Sequence, residues 1–138
     1  MNIGNIHIPY EEIVENALDC FWIVDMSDGT VVHTNESYCQ MSGYSKDEIV
    51  GKKVIDFEVG EDIDVIKQTF ITMEMDGRLS FLATHRKKDG TIARLETNGI
   101  FKQIDGKKYI FAFMRDATEK LEIQEKFSAL NRQLIEIV

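Results

Sequence analysis

Runs of β-branched and aromatic residues alternate with polar turns along this chain, and three of the turns contain an Asp-Gly pair. The pairs are Asp28-Gly29, Asp89-Gly90 and Asp105-Gly106. Asp-Gly suits the two positive-φ positions of a type I′ turn, so each pair between apolar runs indicates an antiparallel hairpin. The runs beside these turns predict five strands, at residues 20–24, 30–32, 79–85, 92–104 and 107–115. Together they predict one antiparallel sheet.

Two segments outside the strands have apolar residues at helical spacing. A short N-terminal helix is predicted from Pro9, because proline suits a helix start and residues 10–18 carry an apolar stripe. A longer helix is predicted from Ile63 to Asp76, with Gly77 after its last turn. The longer helix interrupts the predicted sheet after its second strand.

Capping residues predict two further short helices in that interruption. Asn35 is a candidate N-cap for a helix of about two turns that Gly43 ends in a left-handed conformation. Ser45 and Glu48 then have the spacing of a capping box, and Gly51 closes the second helix. The order is therefore two strands, helices, then three strands.

The period becomes helical again at Asp116, where Asp116 and Glu119 form a D-x-x-E cap arrangement. Apolar residues follow at spacings of four and three, which is a heptad pattern. These coiled-coil seam residues are Ile123, Phe127, Leu130, Leu134 and Ile137. The pattern runs to Val138, so we expect a helix that continues in a longer protein.

Both faces of the preceding strand are apolar, and the face without helices is expected to contact the terminal helix or a partner chain.

Composition and net charge argue against several classes of function. With 138 residues, 43% hydrophobic and 29% charged, the chain fits one domain with a core of its own. A net charge of −8 argues against a nucleic-acid surface, and the one compact basic run, residues 86–88, is interpreted as a solvated strand end. No apolar run approaches a membrane span, and no signal peptide is recognised, so the cytoplasm is the expected location.

The two cysteines, Cys20 and Cys39, are in neither a CxxC pair nor metal-ligand spacing with a histidine. We interpret both as buried or half-buried thiols. No metal site and no disulfide are predicted.

Several segments together resemble the PAS sensor-domain family. They are Phe21-Trp22-Ile23-Val24-Asp25, Gly29, Asn35, Gly43-Tyr44-Ser45, Glu48, Gly51, Arg86-Lys87-Lys88-Asp89-Gly90 and Arg115-Asp116-Ala117-Thr118-Glu119. Each piece alone is common, and their joint order and spacing carry the resemblance, which covers roughly residues 10–119.

The resemblance implies an α+β fold with a five-stranded antiparallel sheet of order 2-1-5-4-3, helices over one face and a pocket between them. Residues 1–9 are then an N-terminal lead, residues 10–116 the PAS domain and residues 117–138 a C-terminal signalling helix. The Asp-x-Thr resembles the family's junction with its output helix, so Asp116, Thr118 and Glu119 are the predicted junction residues. Ala117 stands where the family commonly has Ile.

The resemblance also suggests cofactors to test against the residues. The stretch 51–58, where the light-sensing branch carries its reactive cysteine, has none, which disfavours adduct-forming flavin. The predicted long helix has no histidine to ligate haem, and no CxxCH occurs. His7, His33 and His85 are interpreted as solvated or partner-facing side chains. Non-covalent flavin stays open.

With those cofactors disfavoured, the remaining prediction is an apolar pocket. Its residues are inferred from alternation along the strands and from the apolar stripe of the predicted long helix. The candidate pocket residues are Trp22, Val24, Thr34, Phe70, Leu95 and Ala112. Such a pocket suits a small organic or fatty ligand. It is equally consistent with a cavity filled by its own side chains, and Trp22 is interpreted as core more readily than as a stacking platform.

Three functions follow as hypotheses. The first is a homodimeric signal-input module that regulates a histidine kinase, diguanylate cyclase or other effector in the same polypeptide. The second is a constitutive interaction scaffold without ligand, which dimerises through the outer sheet face and the seam. The third, a small enzyme, is not expected, because turns, strand ends and a cap account for its acidic residues. Kinase or cyclase activity would lie beyond Val138.

Overall fold

A computed structural model describes residues 2–7 and 9–137 of the chain and contains one five-stranded antiparallel sheet. The strands are β1 (Cys20–Asp25), β2 (Thr30–Thr34), β3 (Arg78–Arg86), β4 (Ile92–Ile104) and β5 (Lys107–Asp116). Their order across the sheet is β2-β1-β5-β4-β3, and every neighbouring pair is antiparallel. The predicted sheet and its order are confirmed.

The three hairpins form as predicted, but only one uses a type I′ turn. Asp105 and Gly106 make a two-residue loop with φ of 51° and 78°, and Asp105 is the one non-glycine residue with positive φ in the described chain. The prediction of type I′ turns at the other two pairs is wrong. Those loops are longer because the Asp28 and Asp89 side chains each accept the backbone N–H two residues later, which stabilises a wider turn.

The chain also forms five helices, named here in sequence order. They are α1 (Tyr10–Glu15), α2 (Glu36–Ser42), α3 (Lys46–Ile49), α4 (Ile63–Asp76) and α5 (Thr118–Ile137), with a 3-10 turn at Val54–Asp56. The capping box of Ser45 and Glu48 is present, and Gly43 and Gly77 end their helices at φ 82°. Helix α1 is shorter than predicted, and Leu18 beyond it is 96% exposed. Two-residue strands at Asn2–Ile3 and Ile6–His7, which the sequence pattern did not predict, pair with each other.

Asn35 joins α1, β1 and α2 through all four hydrogen bonds that its buried side chain can make. Its Oδ1 accepts from the N–H groups of Phe21 and Tyr38, both at 3.1 Å. Its Nδ2 donates to the carbonyls of Val14 and Asp19, both at 2.9 Å. We call this arrangement the Asn35 joint. It positions the first strand relative to the helices over the sheet.

Alternation along the strands divides the sheet into a helix-covered face and an outer face. A β-bulge at Val32 lets both Val31 and Thr34 reach the covered face, while His33 lies on the outer face. The outer face carries an aromatic cluster, in which the Phe21 ring lies within 6.2 Å of the rings of His33, Phe111 and Phe113. Phe113 remains 36% exposed.

Helix α5 does not cover that outer face, because none of its described residues is buried. Ion pairs hold its first turns to β4, from Arg94 to Glu125 and from Lys120 to Glu96, both at 2.5 Å. Among the described residues, no helix is long and apolar enough to cross a membrane.

Candidate functional site

His85 lies in the hydrophobic core, so the interpretation of its imidazole as solvated or partner-facing is wrong. The residue is 3% exposed and its ring stacks on the Trp22 indole with centroids 4.9 Å apart. Alternation along β3 explains this position, because Ala83 and His85 face the helices together. Residues 57–59 cover it by hydrogen-bonding to the backbone of β3.

The other two histidines take different places. His33 is half-buried beside Phe21 on the outer face, in agreement with its predicted outward direction. The interpretation of His7 concerns a side chain outside those that the structure describes.

The imidazole of His85 connects Tyr38 and Glu58. The Tyr38 hydroxyl is 2.9 Å from Nδ1, and Oε1 of Glu58 is 3.2 Å from Nε2. Burial raises the pKa of the Tyr38 hydroxyl, so this group stays protonated and can donate to Nδ1. When Tyr38 donates to Nδ1, Nε2 carries the proton that Glu58 accepts.

A small internal cavity lies next to this polar chain. Its volume is about 40 Å³, and four of the six predicted pocket residues line it: Trp22, Val24, Phe70 and Ala112. Leu95 and Thr34 are fully buried on the same face of the sheet but do not line the cavity. The volume exceeds only slightly the roughly 30 Å³ that one water occupies in the liquid. The interior is therefore largely filled by its own side chains.

Two larger cavities flank helix α4 on either side. One, of about 380 Å³, lies towards the β1–β2 turn and includes Lys53 and Lys67 in its wall. The other, of about 260 Å³, lies towards β3 and includes Glu58 and Glu61. Phe70 borders both and the internal cavity as well. Val54 borders all three as well, so these two side chains lie between spaces that would together have the size of a ligand pocket.

Helix α4 packs closely against the sheet at its C-terminal half. Met73 is 1% exposed and lies against Gly99 of β4, where a Cβ atom would collide with the Met73 sulfur. Glu74 forms an ion pair with Lys108. The N-terminal half, residues 63–70, lies between the two flanking cavities, and in it Ile66 is buried in the core while Phe70 is half-buried.

Two buried polar atoms near the pocket have no hydrogen-bond partner among the residues that the structure describes. They are Nε1 of Trp22 and Oγ1 of Thr34. Buried polar groups are normally paired, with protein or with water, so each is a position where a water or ligand atom would gain a hydrogen bond.

Cys20 and Cys39 are free and buried, as interpreted from the sequence. Burial raises the pKa of the Cys20 thiol to about 12 and also raises that of Cys39. Both thiols are therefore poor nucleophiles at neutral pH. In the described part of the chain no group of three or more His, Cys, Asp or Glu side chains is arranged to hold a metal.

The predicted junction residues join β5 and α5 to β4. Asp116 Oδ1 accepts from the N–H and the hydroxyl of Thr118 at 3.0 and 2.5 Å. The Arg94 N–H donates to that hydroxyl, and its carbonyl accepts from the Ala117 N–H, both at 2.8 Å. Glu119 is exposed and makes none of the described hydrogen bonds. Strand pairing thus continues up to the first residue of the helix.

The seam residues of α5 form an exposed apolar stripe. Ile123, Phe127, Leu130, Leu134 and Ile137 are each more than half exposed. Such a stripe matches the a and d positions of a coiled coil that lacks its partner helix.

Sequence reasoning missed Tyr38, Glu58 and His85 as a connected group. Alternation from Leu79 through Phe81 and Ala83 would have placed His85 inside. Glu58 carried no such signal, because it lies in an aperiodic segment whose position depends on long-range pairing with β3.

Comparisons with known sequences and with solved structures agree on one family. A sequence model described as "PAS domain" matches residues 18–119. The chain is 26% identical over 121 residues to the methyl sulfide methyltransferase-associated sensor of Methanosarcina acetivorans. That alignment covers 86% of the chain but only 12% of the relative.

Two solved structures have the same fold. The PAS domain of an HTR-like protein from Haloarcula marismortui superimposes with a TM-score of 0.71 at 24% identity, covering 77% of this chain and 87% of that one. A PAS domain from a two-component sensor histidine kinase gives a TM-score of 0.66 at 16% identity, with coverage of 76% and 90%.

Proposed function

Since the chain belongs to the PAS domain family, whose members act as signal-sensing modules, we propose that it is the input module of a longer protein and regulates an effector through α5. The observation that carries this proposal is the continuous hydrogen bonding from β4 and β5 into α5 through Arg94, Asp116 and Thr118. A shift of the sheet would move the start of the helix, because no flexible linker separates them.

The effector and the partner follow from what α5 exposes. The apolar seam favours pairing with a second copy of the chain in a parallel coiled coil, because equivalent residues then face each other. A histidine kinase is the first effector to test, since one structural neighbour comes from such a protein. A diguanylate cyclase is the second. Catalysis would then belong to the effector domain and not to residues 1–138.

Insertions in the full-length protein test the coupling. Three glycines inserted after Thr118 should abolish the response of the effector to its signal, because glycine breaks the helix where it leaves the sheet. The matched control inserts one seven-residue heptad, Leu-Glu-Lys-Ile-Gln-Glu-Lys, after Lys126, which keeps apolar residues at both seam positions of the insertion and preserves the helical phase of the seam. The control should keep regulation. Regulation that survives the glycine insertion would contradict the proposal.

The pocket supports a small ligand rather than a large cofactor. The cavity beside Trp22 and His85 measures only about 40 Å³, and Val54 and Phe70 border it and both flanking spaces. A small apolar or amphiphilic molecule could enter by displacing these side chains. Mass spectrometry of natively purified protein, with its visible absorbance, tests this: a bound flavin or haem would refute it.

Free, buried Cys20 and Cys39 support a reducing compartment, and we place the module in the cytoplasm.

A constitutive scaffold is the second candidate, and the exposed part of the outer face favours it. Phe113 and Leu82 on that face are 36% and 46% exposed. Sedimentation of the chain ending at Thr118 separates the possible dimer interfaces. A dimer that survives the truncation supports pairing through the outer face or α1, whereas a monomer supports pairing through the seam.

A further inference from the structure

Glu58 is a partly buried carboxylate that lines both the internal cavity and the flanking cavity on the β3 side. Its one described hydrogen bond joins Oε1 to Nε2 of His85. Among the described residues His85 is its ion-pair partner, and it is a counter-ion only when the imidazole is protonated; no Lys or Arg lies within ion-pair distance. Oε2 makes no described hydrogen bond, so a cation in the cavity could pair with this oxygen.

The walls around Glu58 are aromatic and acidic. The flanking cavity on the β3 side contains Glu58, Glu61, Phe70 and Phe81 and no Lys or Arg. The internal cavity behind it adds the rings of Trp22 and His85. The faces of aromatic rings attract cations; the Phe70 and Phe81 rings line both cavities, whereas the His85 ring stacks on one face of the Trp22 indole. The cavity on the other side of α4 has two lysines instead, so the preference for a cation belongs to the β3 side alone.

The buried indole supplies a second and independent indication of a ligand. Trp22 is 2% exposed and lines the internal cavity, and its Nε1 has no described hydrogen-bond partner. A ligand that carries a hydroxyl or carbonyl oxygen would accept from this group. The site thus combines a carboxylate, aromatic faces and one unused donor.

We propose that this pocket binds a small methylated onium cation, a quaternary ammonium or sulfonium, with Glu58 as its counter-ion and Trp22, Phe70 and Phe81 as its aromatic wall. Such a cation has no N–H groups that need acceptors, and its methyl groups suit the apolar wall formed by Val54 and Ile66. Val54, Phe70 and Phe81 line both cavities that the cation would occupy, so movement of these side chains would join them. Trp22 pairs with Ala112 of β5, so the ligand would act directly on the strand that continues into α5.

This inference rests on the proposed sensing function, and it is tested by binding alone. Trp22 is the sole tryptophan, so its fluorescence reports only this site. Choline is titrated beside its neutral isostere 3,3-dimethyl-1-butanol, with potassium chloride at matched ionic strength as a blank; tetramethylammonium and trimethylsulfonium are further probes. We expect saturable changes with the onium probes, and about tenfold or more weaker binding of the neutral alcohol.

Matched variants assign the charge preference to one carboxylate. Glu58→Gln should weaken choline binding about tenfold and leave binding of the alcohol unchanged. Asp64→Asn removes one charge from an exposed position on α4 outside the cavities and should change neither. If Glu58→Gln fails to fold, Phe81→Leu keeps an apolar wall and should weaken choline alone.

Equal binding of choline and the alcohol, no saturation with any onium probe, or equal effects of Glu58→Gln and Asp64→Asn would each overturn the inference. The proposed function fails separately, through glycine insertions that leave regulation intact. If no onium probe binds but the glycine insertion still abolishes regulation, the ligand class is rejected and the sensing role is kept.

Discussion

The Asn35 joint and the N-terminal half of α4 lie over the same face of the sheet but are held in very different ways. The joint satisfies all four hydrogen bonds of a fully buried amide and fixes α1, β1 and α2 to one another. Residues 63–70 of α4 instead lie between two cavities with Ile66 as their one buried side chain, and the closest approach of the helix to the sheet comes further along, at Met73 and Gly99. The difference indicates a fixed frame on one side and a side that can yield on the other.

Removing the joint should have the largest effect on stability. Asn35→Ala leaves the N–H groups of Phe21 and Tyr38 without this acceptor and removes a donor from two carbonyls, of which that of Val14 still accepts from the Ala17 N–H; each unpaired buried group costs about 1–3 kcal/mol before relaxation. We expect the free energy of unfolding to fall by about 4 kcal/mol in urea titrations. The matched control, Asn98→Ala on the exposed outer face, should change it by about 0.5 kcal/mol or less. Equal losses would remove the basis for a fixed frame.

Substitutions of two phenylalanines compare the stability that side chains contribute in the core beside Trp22 and in the N-terminal half of α4. Phe57 is buried against Trp22 and Tyr44, so Phe57→Ala should cost about 3–5 kcal/mol. Phe70 is half-buried between cavities, and Phe70→Ala should cost about 1–2 kcal/mol, because much of its surface has no partner to lose. Thermal unfolding of both variants measures the difference. A larger loss for Phe70→Ala would show that α4 is packed as firmly as the core.

The contact between Met73 and Gly99 should have the smallest of these effects. Gly99→Ala places a methyl group against the Met73 sulfur and should cost about 1–2 kcal/mol through overpacking. In a Met73→Leu background the same change should cost less, because the side chain that it meets is shorter. A double-mutant cycle from denaturant titrations measures this coupling. Additive effects would mean that this contact does not hold the helix.

Much of the fold could be predicted because its signals are local. The strands, the caps at Asn35 and Ser45, the αL end at Gly43 and the end of α4 at Asp76 were all recovered, and the sheet order followed from the family resemblance. The type I′ prediction failed at Asp28 and Asp89, because an Asp side chain can equally accept a backbone hydrogen bond in a longer loop.

The site was harder to predict, since it depends on contacts between distant parts of the chain. Four of the six predicted pocket residues line one cavity, because alternation decides which side of a strand they face. The Tyr38–His85–Glu58 chain was missed, because Glu58 reaches the pocket only through pairing of residues 57–59 with β3. The volume of the internal cavity could not be predicted from the sequence either, because it depends on how closely α4 packs against the sheet.

Native-state amide hydrogen exchange tests most directly whether the signal enters under α4 while the frame stays fixed. We expect the amides of Phe21 and Tyr38, which donate to Asn35, to exchange only through global unfolding. The amides of residues 67–70 should exchange through local opening at a lower free energy. The opposite order, or equal free energies at both places, would contradict this account.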